Sequence, residues 1–316
     1  MLILDRRSWL KQVFFLRRTS SSGIWLRVSM SGLLATIVTV LQLGWDTFES
    51  NLTPLPFTLV GFALSIFLGF RNNTGYDRFW EGRKLWGQLV NTSRSLTRQI
   101  LTLIAPPPGS GVAWSDEQRA GVRRELVYAL IAYVRALRRH LRDEDPLPDF
   151  VGLIRDEQID RLRGHRNRPI AMLQLIADRL RSLYDEGLIH THHLPLLEQS
   201  LTTLTDVQGA CERIKATPIP ASYTVLTHRI VLLYCVGLPF GIVATVGLFT
   251  PVVVLIVAYA FYGLDAVGNE IEDPFGRDPN DLPLDALARM IEVNLRQSLA
   301  EQDVPELLEP IEGVLT

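Results

Sequence analysis

The sequence predicts an all-α membrane protein with four transmembrane helices per subunit and a large helical cytoplasmic domain. Hydrophobic residues make up 47% of the 316 residues and charged residues 21%. The mean hydropathy is nevertheless only +0.15, so the apolar residues must be concentrated in segments rather than spread evenly. Four such segments stand out, and strand signals are weak throughout the chain.

The four apolar segments have the composition of membrane-spanning helices. The chain between residues 230 and 264 contains no Asp, Glu, Lys, Arg or His, and it is too long for one crossing of about 20 residues. Gly247, Thr250 and Pro251 offer a break in its middle, so we interpret it as two helices joined by a very tight turn. The predicted spans are residues 28–43, 55–70, 230–249 and 251–264.

Basic residues predict the orientation of these spans. They precede the first span, as at Arg27, follow the second, and precede the third, as at Arg229. The loop at residues 44–54, by contrast, carries Asp46 and Glu49 and no basic residue. The positive-inside rule therefore places both termini in the cytoplasm. The first apolar segment is followed by another span and lacks a clear cleavage site, so we do not interpret it as a removed signal peptide.

Two stripes run along the second apolar segment, each with a four-residue interval that keeps its members on one helix face. The bulky stripe consists of Phe62, Ile66 and Phe70. The small stripe consists of Gly61, Ser65 and Gly69, and small residues at this spacing let another helix approach closely. Such a helix is either one stave of a narrow pore or an ordinary membrane helix with its large residues in lipid. Most apolar stripes only pack, so the stripe alone favours the second alternative.

The cytoplasmic part is predicted to be helical, and its first helix is expected to continue directly from the second span as one long rod. A Pro- and Gly-rich run at residues 106–111 breaks this rod, and Ser115 begins a helix that extends to about residue 142. Further helices are expected near residues 157–163, 169–186, 194–215 and 283–301. The predicted parts are residues 1–70 with the first two spans, the cytoplasmic domain at 71–229, the transmembrane hairpin at 230–264 and an acidic loop, helix and tail at 265–316.

The soluble part offers little enzyme chemistry. It contains no phosphate-binding loop and no serine nucleophile elbow, so an enzyme is not expected. The net charge of −2 argues against a nucleic-acid partner. Cys211 and Cys235 are expected to be free thiols. A histidine cluster favours a surface helix start over a metal site, and an arginine run favours a solvated helix face or a subunit contact. These clusters are His190, His192 and His193, and Arg135, Arg138, Arg139 and Arg142.

The acidic loop at residues 270–285 allows two interpretations. Its alternating carboxylates and carbonyls could hold a hard cation such as calcium. Alternatively, Asp281 caps the helix that Pro283 starts, and Asp285 favours the positive end of that helix. We favour the helix cap.

Several motifs together resemble the bestrophin family, particularly its bacterial branch. The resemblance covers nearly the whole chain, and the order of membrane spans agrees with it. No single motif would suffice, but the motifs are specific in combination. They are FLGFRN at residues 67–72, Tyr76, Arg78 and Phe79, Arg83, LWG at 85–87, CER at 211–213, TPIP at 217–220, EDPFG at 272–276 and NDLPL at 280–284.

The resemblance implies an ion channel of the bacterial inner membrane, assembled as a homopentamer around a central pore among membrane lipids. By this resemblance, Phe62, Ile66 and Phe70 line a hydrophobic neck. A second constriction near the cytoplasmic exit would contain Leu180, by a match to the helix expected at residues 169–186. No cofactor is required for such a channel.

The resemblance implies passage of monovalent ions and leaves their sign open. Asp46 and Glu49 near the outer mouth would attract cations, and we lean towards cations, with an anion channel of the same architecture as the alternative. Animal members are activated by calcium at an acidic clasp, where Asp278 and Asp281 fall at plausible ligand positions. Residues 277, 279 and 280 interrupt that acidic run and put calcium control in doubt. A non-conducting membrane sensor or scaffold is the remaining alternative.

Overall fold

A computed structural model describes residues 1–2, 22–44, 53–106 and 114–316, and within these residues the protein is almost entirely helical. The only extended pairings there are isolated bridges, which confirms the all-α prediction. Two short 3-10 turns, Leu147–Phe150 and Gly247–Phe249, join helices. The α-helices are α1 (Ser22–Gly44), α2 (Leu55–Leu103), α3 (Asp116–Leu141), α4 (Asp156–Arg163), α5 (Arg168–Asp185), α6 (Leu194–Ala216), α7 (Ala221–Val246), α8 (Thr250–Glu272) and α9 (Leu284–Ser298).

Three stretches of the described chain are long and apolar enough to cross a membrane: Gly23–Leu43, Leu55–Leu103 and Ala221–Glu272. The third contains both α7 and α8. Gly247 lies between them with a positive φ of 60°, and the chain reverses there in a single turn. Glycine reaches this backbone region without steric cost. The predicted break is therefore confirmed, and the described part of the chain contains four apolar helices.

Helix α2 is one uninterrupted helix of 49 residues, which corresponds to a length of about 74 Å at about 1.5 Å per residue. Its first third is apolar and its remainder is amphipathic, so the predicted rod is confirmed. The apolar third packs against α7 and α8, and the rest packs against α3, α6, α9 and the end of α8. The same helix therefore belongs to both the membrane bundle and the cytoplasmic domain.

The cytoplasmic domain has one continuous apolar core, formed by the second half of α2 with α3, α5, α6 and α9. The largest side chains in it, among them Trp86, Tyr133 and Phe150, are fully buried. Helix α3 begins with a capping box in which Ser115 and Gln118 satisfy each other's backbone N–H groups, as expected for the predicted start. Both cysteines are free and buried, as predicted.

The arginine run on α3 does not form the solvated face that its sequence suggested. Arg139 Nη1 lies 2.7 Å from Glu144 Oε2, and its Nε and Nη2 donate to the two carboxylate oxygens of Asp149 at 2.9 and 3.0 Å. Arg142 Nη1 donates to Asp285 Oδ2 at 2.7 Å. These arginines therefore connect α3 to the turn that follows it and to α9 within one subunit.

A buried ion pair joins α2 and α8 at the end of their apolar stretches. The Arg71 side chain is 0% exposed and that of Asp265 is 2% exposed, and Arg71 Nη1 lies 2.5 Å from Asp265 Oδ1. Arg71 Nη2 also donates to the side-chain oxygen of Asn269. His228 Nε2 lies 3.2 Å from the other Asp265 oxygen. An unpaired charge in this position would be costly, so each charged partner makes the burial of the other possible.

We predict that Arg71→Met destabilises the protein by about 3–5 kcal/mol, because it leaves the Asp265 carboxylate buried without its main partner. The double variant Arg71→Met with Asp265→Leu should regain much of this loss. Thermal unfolding of the detergent-purified protein measures both effects. Arg229→Met, which removes an exposed arginine from α7, serves as the control and should change little. Equal melting temperatures for the single and double variants would contradict this account of the pair.

Candidate functional site

The bulky stripe of α2 is uncovered in the subunit. Phe62 is 70% exposed, Ile66 43% and Phe70 63%. On the opposite side of the helix, Leu64 and Leu68 are buried against the other membrane helices. The subunit therefore presents a row of large apolar side chains whose partner must be lipid, another subunit or a pore lumen.

The members of the small stripe have different surroundings. Gly61 is buried, and a Cβ atom placed there would lie 2.6 Å from the Tyr234 hydroxyl of α7, so a side chain would force α7 away. Gly69 has nothing within 4 Å of such a Cβ, and Ser65 is exposed. Gly61 therefore serves close packing inside the subunit, while Ser65 and Gly69 leave a shallow surface beside the bulky stripe.

The exposed face of α2 continues from the bulky stripe into the cytoplasmic half of the helix. Lys84 follows Ile66 by 18 residues, which is about five helical turns, so the two lie on the same face. Asp77 and Arg98 lie within about 40° of that line, and all three are exposed. Among the described residues, Lys84 and Arg98 have no ion-pair partner, and the face carries one excess positive charge per subunit.

Arg78 holds this long helix against two other elements. Its Nε donates to the Glu272 carbonyl at the end of α8 at 3.0 Å, and its Nη2 donates to the Ile214 carbonyl in α6 at 2.6 Å. Sequence reasoning missed both this role and the pairing of Arg71 with Asp265. For Arg71 and Asp265, the available signal was the position of each charged residue directly after an apolar stretch.

The prediction that Leu180 lines a cytoplasmic constriction is wrong for this structure. Leu180 is only 2% exposed and belongs to the core of the cytoplasmic domain. It shares a face of α5 with Leu173, Ile176 and Leu183, which are also buried. Helical spacing does not distinguish a core-facing row from a pore-facing one, and here the row faces the core. The outer-mouth residues Asp46 and Glu49 lie outside the described residues.

The acidic loop between α8 and α9 is closed by its own hydrogen bonds. Asp281 is only 4% exposed, and its Oδ2 accepts the Asp278 N–H at 2.7 Å. Glu270 Oε1 accepts the Asn280 side-chain amide at 2.8 Å. The N-cap of α9 is Pro283 and no side chain caps it, so the predicted capping role of Asp281 is wrong. Its side-chain oxygen accepts a hydrogen bond inside the loop instead.

The loop does not fit a calcium ion in this arrangement. Calcium needs six to eight oxygen ligands, but two of the carboxylate oxygens here already accept hydrogen bonds. No group of three or more His, Cys, Asp or Glu side chains within the described residues is arranged to hold a metal. The calcium site at Asp278 and Asp281 therefore stays a prediction that the geometry does not support.

Burial raises the pKa of the Asp281 carboxyl to about 7, and the negative charges of Asp278, Asp273 and Glu270 add to the shift. The hydrogen bond from the Asp278 N–H acts in the opposite direction. In the unfolded chain the pKa is about 3.9. The unfolded state therefore loses its proton first as the pH rises, and the folded protein loses stability between about pH 4 and pH 7.

We predict that Asp281→Asn removes the loss of folding stability with rising pH, because the amide stays neutral and its oxygen still accepts the Asp278 N–H. The variant should match the wild type near pH 4 and exceed its stability at pH 8, by at most about 1.4 kcal/mol for each pH unit between the two pKa values. Thermal unfolding across this range measures the effect. Asp303→Asn, at an exposed position in the C-terminal tail, is the matched control. Parallel pH profiles for wild type and Asp281→Asn would rule the explanation out.

Comparisons with known proteins agree with this architecture. The family described as "Bacterial/Fungal Bestrophin protein" matches residues 1–297. A voltage-dependent anion channel-forming protein of Ralstonia nicotianae is 37% identical over 301 residues, which are 95% of each chain. The similarly named YneE of Escherichia coli is 34% identical over 311 residues, 98% of each chain.

Solved structures of a bacterial bestrophin homologue from Klebsiella pneumoniae have the same fold. One of them superimposes with a TM-score of 0.81 at 32% identity and covers 89% of this chain and 100% of its own. The resemblance found in the sequence motifs is thereby confirmed, and so is the integral membrane character of the chain. The protein belongs to the bacterial and fungal bestrophin family of membrane ion channels.

Proposed function

We propose that the protein is a homopentameric channel of the bacterial inner membrane that conducts monovalent ions passively through a hydrophobic neck. The observation that carries this proposal is the uncovered row of Phe62, Ile66 and Phe70 on α2. Five copies of this row facing one axis would form three successive apolar rings. Both termini would lie in the cytoplasm, since basic residues flank the spans on one side only.

The neck would act as a gate more than as a selectivity filter. Its rings carry no charge and present no carbonyl oxygens, so an ion passing a narrow neck would have to shed water without replacement ligands. A small widening would admit water and restore conduction. Ser65 and Gly69, exposed beside the row, would let neighbouring helices approach and shift against each other.

For the sign of the ion, we propose an anion preference, with a cation preference as the alternative. The relatives from Ralstonia nicotianae and Escherichia coli are named anion channel-forming proteins. In this chain, Lys84 and Arg98 continue the line of the neck and outnumber Asp77. Five copies would make the cytoplasmic vestibule positive and concentrate anions there. The cation alternative depends on Asp46 and Glu49.

We propose that no cofactor is required. Calcium control through Asp278 and Asp281 would need the loop to open, because Asp281 Oδ2 and Glu270 Oε1 already accept hydrogen bonds inside it. A calcium response that persists unchanged in Asp278→Ala would argue against a calcium site in this loop.

We predict that replacing Phe62, Ile66 and Phe70 together with Ala raises the conductance or the open probability, because smaller rings leave room for water in the neck. Current through purified protein in planar bilayers measures this. The matched control is Phe67→Ala, which removes an equally exposed aromatic side chain about 100° away on the same helix. Unchanged currents in the triple variant would refute the neck, and a larger effect of Phe67→Ala would place the lumen on another face.

We predict a reversal potential near the chloride equilibrium value in asymmetric NaCl, since the vestibule carries excess positive charge. Lys84→Gln with Arg98→Gln should move it towards the sodium value, while Arg83→Gln, about 100° off this face, should not. A wild-type reversal near the sodium value would establish the cation alternative. A folded oligomer without current under all conditions, including in the triple Ala variant, would favour a non-conducting scaffold.

A further inference from the structure

A cavity of about 570 Å³ lies between α1, α7 and α8 and is not used by the proposed ion path. One part of it is apolar and open to the surroundings of the membrane bundle. Met30 is 63% exposed there, Leu232 54% and Val236 42%. A volume of this size suits a small-molecule or acyl-chain ligand. The apolar part alone would fit any hydrophobic tail and does not indicate which ligand binds.

The other end of the cavity is polar and carries excess positive charge. Arg27, His228 and Asp265 line it. Arg71, which does not line the cavity, pairs with the Asp265 carboxylate from α2. Among the described residues, Asp265 is the one carboxylate that lines this end, and its closest cation is Arg71 at 2.5 Å. Arg27 Nη1 is 4.0 Å from Asp265, and the Arg27 side chain stays 58% exposed. One guanidinium is therefore left without a full partner at the mouth of the cavity.

The position of this polar end matches the boundary of the membrane. Arg27 lies near the first residues of α1, His228 precedes the uncharged stretch of α7, and Asp265 follows that of α8. Basic pockets between transmembrane helices at this level suit the headgroups of anionic lipids, while the neighbouring apolar surface suits their chains. A free anion would use only the polar end and would leave the exposed apolar side chains uncovered.

We propose that this cavity is a binding site for one anionic phospholipid per subunit. The headgroup phosphate accepts hydrogen bonds from Arg27, and the His228 ring N–H adds a second donor. One acyl chain lies along Met30, Leu232 and Val236. The site requires insertion into a membrane and does not depend on conduction. Its test is therefore independent of the proposed channel function.

The test uses the purified full-length oligomer offered equal amounts of phosphatidylglycerol and phosphatidylcholine with identical chains. Retained lipid is counted by native mass spectrometry. We expect the wild type to retain phosphatidylglycerol at least about five-fold better, the factor expected for one basic residue beside an anionic lipid surface. Arg27→Gln should bring the two lipids close to parity, and Arg27→Lys should keep most of the preference.

Two further variants separate this site from general effects. Arg229→Gln removes an exposed cation beside His228 that does not line the cavity, and it should leave the preference unchanged. Val236→Trp fills the apolar part and should lower retention of both lipids. Excess inorganic phosphate should not displace the retained lipid.

Three results would overturn the proposal. Equal losses in Arg27→Gln and Arg229→Gln would assign the preference to diffuse surface charge. Displacement by inorganic phosphate would assign the polar end to a small anion. Unchanged lipid retention in Val236→Trp would place the retained lipid outside this cavity. Currents are not part of this measurement, so a failure of conduction would leave its outcome intact.

Discussion

The buried pair of Arg71 and Asp265 is the contact on which the arrangement of this subunit depends. It lies where the apolar third of α2 ends and where α8 leaves its uncharged stretch. An arginine and an aspartate with almost no exposed surface are stable in such a place only in contact with each other. The pair therefore fixes the position of α2 relative to α8 along the helix axes. Because the bulky stripe lies on α2, the pair also fixes the height of the stripe within the bundle.

The other contacts of α2 described above also hold this helix against its neighbours. Arg78 binds backbone carbonyls of α8 and α6 one to two turns further along the helix, and Gly82 allows the buried ring of Phe275 to approach, since a Cβ atom there would lie 3.1 Å from it. The membrane end of the acidic loop is thus attached to the same helix that carries the proposed neck. A change in that loop has a direct structural route to α2.

Much of the architecture could be predicted from the sequence, because it follows from local rules. The uncharged stretch with Gly247 at its centre predicted a hairpin, and the structure contains it. Ser115 predicted a helix start, and the structure confirms it with a capping box between Ser115 and Gln118. The motifs predicted the family, which the comparisons confirm.

Two of the failures, at Leu180 and at the arginines of α3, concern partners that are distant in the sequence. Leu180 lies in a helical row, but only the tertiary structure shows that this row faces the core. The arginines of α3 looked solvated because some of their carboxylate partners, such as Asp285, are more than 100 residues away. Asp281 precedes a helix and resembles a cap, yet its oxygen accepts an N–H inside the loop. The bulky stripe could be predicted because the spacing of its residues along a single helix defines it.

The continuity of α2 has a mechanical consequence. Nothing between its membrane third and its cytoplasmic end interrupts the helix, so the two ends have no hinge between them and must move as a lever. A tilt of about 3° at one end of a helix of about 74 Å displaces the other by about 4 Å, which is close to the width of one side chain. A modest push at the cytoplasmic end would therefore reach the bulky stripe as a movement of side-chain size.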